Sequence, residues 1–98
     1  MSVWDNKDAD RLLDVLLALG TKSEAKKFLR DLMTGKEITD MSLRWKVACM
    51  LHNEIPYSKI EEKTGLSSAT IARISKWLHE GDGGYRIMLK KMKNEWKR

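Results

Sequence analysis

Apolar positions recur at helical spacing along almost the whole chain. Ala9, Leu12, Leu13 and Leu16 follow the i, i+3, i+4, i+7 rule. They predict a first helix from Asp5 or Asn6 to Leu19, with Gly20 as its stop. Val15, Leu17 and Leu19 widen the stripe beyond what a small monomeric core can hide. Thr21-Lys22-Ser23-Glu24 carries a capping-box pattern, in which Thr21 and Glu24 each satisfy a free backbone N–H. It opens a second helix with Ala25, Phe28, Leu29 and Leu32 on one face. The box returns in Thr34-Gly35-Lys36-Glu37 and starts a third helix, which runs to His52 or Asn53. Ile38, Met41, Trp45 and Ala48 make one stripe of it; Leu43, Val47, Met50 and Leu51 make another. A helix of about five turns, apolar on two sides, belongs at the centre of a fold.

Beyond Pro56 the pattern tightens. Pro56 to Thr64 and Ser68 to about His79 read as two short helices. Between them Gly65 supplies a positive φ and Ser67 caps the second helix. Ile60 must meet Ile71 and Ile74 to fix the angle, and Leu66 plugs the junction. Gly81-Asp82-Gly83-Gly84 is a break. A last helix follows, with Tyr85, Met88, Leu89, Met92 and Trp96 on one face. No β pattern, internal repeat or low-complexity stretch interrupts this order. The expectation is an all-α, six-helix single domain over residues 1–98.

Composition narrows the setting. Of 98 residues 42% are hydrophobic and 34% charged, as in a folded globular domain. No apolar run approaches the length of a membrane span, and no secretory signal is legible at the N-terminus. One cysteine, Cys49, excludes an internal disulfide and a cysteine-cluster zinc site. The expected compartment is the reducing cytoplasm. Charge is uneven. Residues 1–65 hold 11 basic and 11 acidic side chains; residues 66–98 hold 8 and 3, so the whole excess of +5 lies in the last third. That asymmetry fits a polyanionic partner, or else a solvated basic tail at Lys90, Lys91, Lys93, Lys97 and Arg98.

Residues 55–78 read as a helix-turn-helix. The outward positions of its second helix are Ser68, Ala69, Ala72, Arg73 and Lys76. The first three are small and permit close approach to base edges. Arg73 can fork onto a guanine or a phosphate, and Lys76 can meet a phosphate. The helix N-terminus, with Ser67, offers free N–H groups to the backbone. Ser58, Lys59 and Lys63 lie on the preceding helix, where it would cross the phosphates. The competing reading is a helical hairpin used only for packing, in a dimerisation or adaptor module that binds protein. Glu61 and Glu62 favour it unless they face away from the groove.

Thr64-Gly65-Leu66-Ser67-Ser68-Ala69-Thr70-Ile71-Ala72-Arg73, preceded by the capped helix from Thr34, resembles the tryptophan repressor superfamily. Within it the chain looks closer to a small repressor-related bacterial branch of the YerC/YecD type. The resemblance runs from Trp4 to about Met92. It implies six helices, an intertwined homodimer and sequence-specific operator binding, with Thr70 among the interface residues. The two-sided apolar helices would then be buried by the partner chain. In the founding repressor two arginines hold free tryptophan; by position they match Arg44 and Arg73, and Thr70 matches a pocket threonine. Ile74 stands where that repressor has glycine, and Trp77 where it has serine. Both are large and apolar and are expected to fill the space an indole needs.

The other candidates are weaker. His52 and His79 lie on different helices with no third ligand. Asp5, Asp8, Asp10 and Asp14 mark a solvated helix face. Cys49 reads as a buried small hydrophobe, and the four tryptophans as core rather than a base-stacking platform. The basic last helix closes a dimer more readily than it lies on a membrane. No nucleophile–base pair or phosphate loop is present. The expectation is therefore a homodimeric, repressor-like regulator that binds double-stranded DNA. It is not an enzyme, uses no cofactor, metal, membrane or tryptophan corepressor, and has no effector that the residues identify.

Overall fold

The computed structural model describes residues 2–92. Its regular elements among these residues are all helices, with no strand among them. A single 3-10 turn, Val3–Asp5, precedes α1 (Lys7–Ala18), α2 (Lys22–Leu32), α3 (Gly35–His52), α4 (Tyr57–Thr64), α5 (Ser68–Glu80) and α6 (Gly84–Lys91). The chain forms two compact units, one up to Ile38 and one from Thr39 onward.

In the first unit, local hydrogen bonding sets the helix ends. Ser2 and Asp5 box the 3-10 turn, and Asn6 caps α1 through Oδ1, which accepts from the Asp8 N–H at 2.7 Å. The expected glycine stop at Gly20 is not what ends α1. Leu19 turns extended (φ −64°, ψ 123°) directly after Ala18. The Gly20 N–H is instead bound by the Glu24 carboxylate at 2.9 Å. That carboxylate was expected to take the N–H of Thr21, so the box before α2 is shifted by one residue. The Thr21 hydroxyl keeps its part, accepting from the Glu24 N–H at 3.1 Å. Before α3 the box is reciprocal: Thr34 and Glu37 exchange bonds at 3.1 and 2.9 Å. No residue from 2 to 38 is buried in the isolated chain, and Leu17 is 84% exposed.

The second unit holds the core. Val47, Ala48 and Cys49 are buried in succession on α3. Three consecutive buried positions on a helix turning about 100° per residue require cover on most of its circumference. Val47 and Ala48 pack with Ile60 of α4 and with Ile71 and Ile74 of α5, and Ile55 and Leu66 close the edges. Cys49, Leu78 and Leu89 form a second cluster that carries α6. Trp45 and Tyr85 stack at 6.5 Å between ring centres and tie α3 to α6. Burial pushes the Cys49 thiol above its usual range, a backbone hydrogen bond opposing more weakly. Met41 and Met88, expected on inward stripes, are exposed in the single chain. Trp96 and the basic residues Lys93, Lys97 and Arg98 lie outside the described residues.

Candidate nucleic-acid interface

The α4–α5 hairpin is built by its turn. Gly65 takes φ 73°, ψ 5°, a left-handed conformation that side chains resist. Its N–H closes α4 on the Glu61 carbonyl at 2.8 Å. The Thr64 hydroxyl donates to the Ile60 carbonyl at 2.7 Å and accepts from the Leu66 N–H at 3.2 Å. One hydroxyl thus fastens both sides of the turn. The sequence signal for this role of Thr64 is a threonine four residues after a core isoleucine and just before the turn glycine. Ser67 then caps α5, accepting from the Thr70 N–H at 3.2 Å.

With Ile60 below and Ile71, Ile74 and Leu78 inward, the opposite side of α5 is bare. Ser67, Ser68, Ala69, Ala72, Arg73 and Lys76 are all exposed. Arg73 and Lys76 make no ion pair with described residues. Thr70 differs: it is half-buried, and its hydroxyl lies 3.1 Å from Ser67 Oγ. That pair ties its side chain to the cap of α5. On α4, Ser58, Lys59 and Lys63 are exposed. At about 100° per residue Lys59 and Lys63 share one flank, and Glu61 falls on the other.

The positions of the expected closed pocket differ in burial. Arg44 is exposed on α3. Ile74 is buried in the core among Val47, Ala48, Ile60 and Ile71. Trp77 was expected to fill interior volume and does not: it is 56% exposed in the single chain. Three residues after the inward Ile74 and one before the inward Leu78, it stands on the flank of α5, beyond the reach of that core.

The family described as Trp repressor protein matches residues 7–93. The chain belongs to this family. YerC of Bacillus subtilis (strain 168) is 38% identical over 87 residues, which are 89% of this chain and 84% of that protein. The solved TrpR-like protein of Eubacterium eligens ATCC 27750 superposes with a TM-score of 0.90 at 33% identity, over 97% of both chains. A solved Staphylococcus aureus protein gives a TM-score of 0.87 at 33% identity, over 97% of this chain and 98% of that one. The six described helices therefore form a TrpR-like fold. Within this Trp repressor family member, α4 and α5 carry the bare face. No helix among the described residues is long and apolar enough to cross a membrane.

Proposed function

We propose that this Trp repressor family member is a homodimeric, sequence-specific DNA-binding regulator of transcription that acts in the cytoplasm as a binding protein rather than an enzyme. The observation that carries the reading is the exposed Ser68–Ala69–Ala72–Arg73 face of α5, mounted on a buried isoleucine base and capped by Ser67. Ser67, Ser68, Ala69, Ala72 and Arg73 enter the major groove, and Ser58, Lys59, Lys63 and Lys76 hold phosphates. Thr70 supports the reading end from within.

The dimer is supported by the first unit, which buries none of its described residues and exposes Val15, Leu16, Leu17 and Leu32. An exposed apolar surface of this kind marks an interaction site, and a second copy would complete one shared domain. The regulator works without tryptophan. Ile74 supports this, since it fills core volume beside Arg73. Trp77 lends no support in the isolated chain.

Salt tests the reading. If a dimer neutralises about six phosphates, the logarithm of the binding constant falls against the logarithm of salt with a slope near −5. A flat response would favour a protein-binding adaptor.

A further inference from the structure

We infer that the α5 face selects operators by thymine methyl groups, with Ala69 and Ala72 packing on thymines next to a guanine taken by Arg73. This rests on the DNA-binding function proposed above and adds which bases that face recognises.

The argument is an inventory of what α5 offers. Ser67 lines the groove, but its hydroxyl and that of Thr70 already have partners: Ser67 Oγ caps the helix and pairs with Thr70 Oγ1 at 3.1 Å. The His79 ring is turned back, with Nδ1 2.8 Å from the Ser75 carbonyl. No Asn or Gln occurs in α5, so no side chain there can pair bidentately with adenine. The single carboxylate, Glu80, is the last residue of the helix, far from the end that enters a groove. A carboxylate acceptor for the cytosine amino group is therefore missing at the end that enters the groove, where the Ser68 hydroxyl is the one uncommitted acceptor.

With Lys76 assigned to a phosphate, what remains on the exposed side is the Ser68 hydroxyl, the Arg73 guanidinium and the methyls of Ala69 and Ala72. The guanidinium matches guanine O6 and N7. The one apolar feature in the major groove is the thymine C5-methyl, the natural contact for an alanine methyl. Ala69 and Ala72 are one turn apart, about 4.5 Å along the axis. A base step is about 3.4 Å, so the two methyls reach neighbouring or next-neighbouring base pairs. Arg73 directly follows Ala72 and lies one turn beyond Ala69. The contacts therefore fall on a short G/T-containing run.

The test begins by selecting bound sequences from random duplexes with the full-length protein. Each thymine of the selected site is then replaced singly by uracil, which removes only the methyl. One or two positions per half-site should lose about three- to five-fold in affinity, the effect of one buried methyl. In Ala69→Gly or Ala72→Gly the loss at one of those positions should shrink to near nothing, each variant being compared with itself on the two DNAs. Uracil tolerated at every position would overturn the inference while leaving DNA binding intact. So would a penalty that persists unchanged in both glycine variants. If a variant fails to fold, the scan on the unaltered protein decides. If selection enriches no sequence, the DNA-binding function itself falls, and this specificity with it.

Discussion

Glu54 sits at the exit of α3 with φ 60°, the one non-glycine residue with positive φ among those described. Its N–H bonds the Leu51 carbonyl, and the Ile55 N–H reaches back to Met50, both at 3.0 Å. This paired pattern ends helices through a left-handed residue, a position glycine fills best. A side chain there costs about 1–2 kcal/mol, partly offset by the greater freedom glycine has when unfolded. Glu54→Gly is therefore expected to stabilise the protein by about 0.5–1 kcal/mol. Urea unfolding at fixed protein concentration measures it, and a loss of stability would show that the Glu54 side chain does something its backbone does not. Arg73 poses the opposite case. It is exposed and bonded to no described residue, so Arg73→Ala should leave folding within about 0.5 kcal/mol. If the side chain reads a base, the same change costs about 1–3 kcal/mol of binding to a selected site. Equal affinity of the two proteins for that site would remove Arg73 from the reading face.

The helices themselves were largely legible, because apolar spacing and capping residues act over one or two turns. Thr34 with Glu37 and Ser67 behave as their side chains dictate, and Gly65 as its lack of one allows. Errors arose where two local signals competed. Gly20 looked like a stop, but Glu24 captured its N–H, and Leu19 had already left the helix. Gly81 looked merely flexible. A Cβ there would stand 2.5 Å from the Trp77 carbonyl oxygen, which is backbone and cannot yield. The path of the α5–α6 link thus depends on an absent side chain, something no periodicity reveals. Gly81→Ala should destabilise by about 1–3 kcal/mol through this overlap, and a neutral unfolding midpoint would show that the link relaxes freely. Of the candidate site, the exposed face of α5 was readable from Ile71, Ile74 and Leu78, since burying those three leaves the opposite side bare. The commitment of Thr70 to Ser67 was not, because a threonine at the third position of a helix can equally point outward. Ser67 allows the two roles of that end to be separated. Ser67→Ala should cost about 1 kcal/mol of stability by loss of the cap. Ser67→Asp should retain the cap while placing a negative charge at the phosphates, so that folding holds and DNA affinity drops. Thermal melts beside binding titrations distinguish the two; undiminished DNA affinity in Ser67→Asp would move the interface away from the α5 start.

At the scale of the molecule the two units make different demands. The second closes two clusters around α3, whereas the first has apolar side chains and no interior of its own. The proposed shared dimer core would resolve this, and sedimentation at micromolar concentration should then find twice the chain mass. The unfolding midpoint should also rise with protein concentration, as it must when association and folding are coupled. A stable monomer would leave Leu17 and its neighbours in water without compensation. Assembly also bears on effectors. A ligand that binds only the folded dimer raises its stability by about 2.7 kcal/mol at a hundred times its dissociation constant. Ile74, next to Arg73 in the sequence, is part of the core, and vacating that volume should cost more than an indole contact returns. Millimolar tryptophan should therefore leave the melting temperature unchanged. A clear rise would mean that the assembled dimer holds open a pocket which Ile74 does not fill, and the regulator would then be controlled by its ligand.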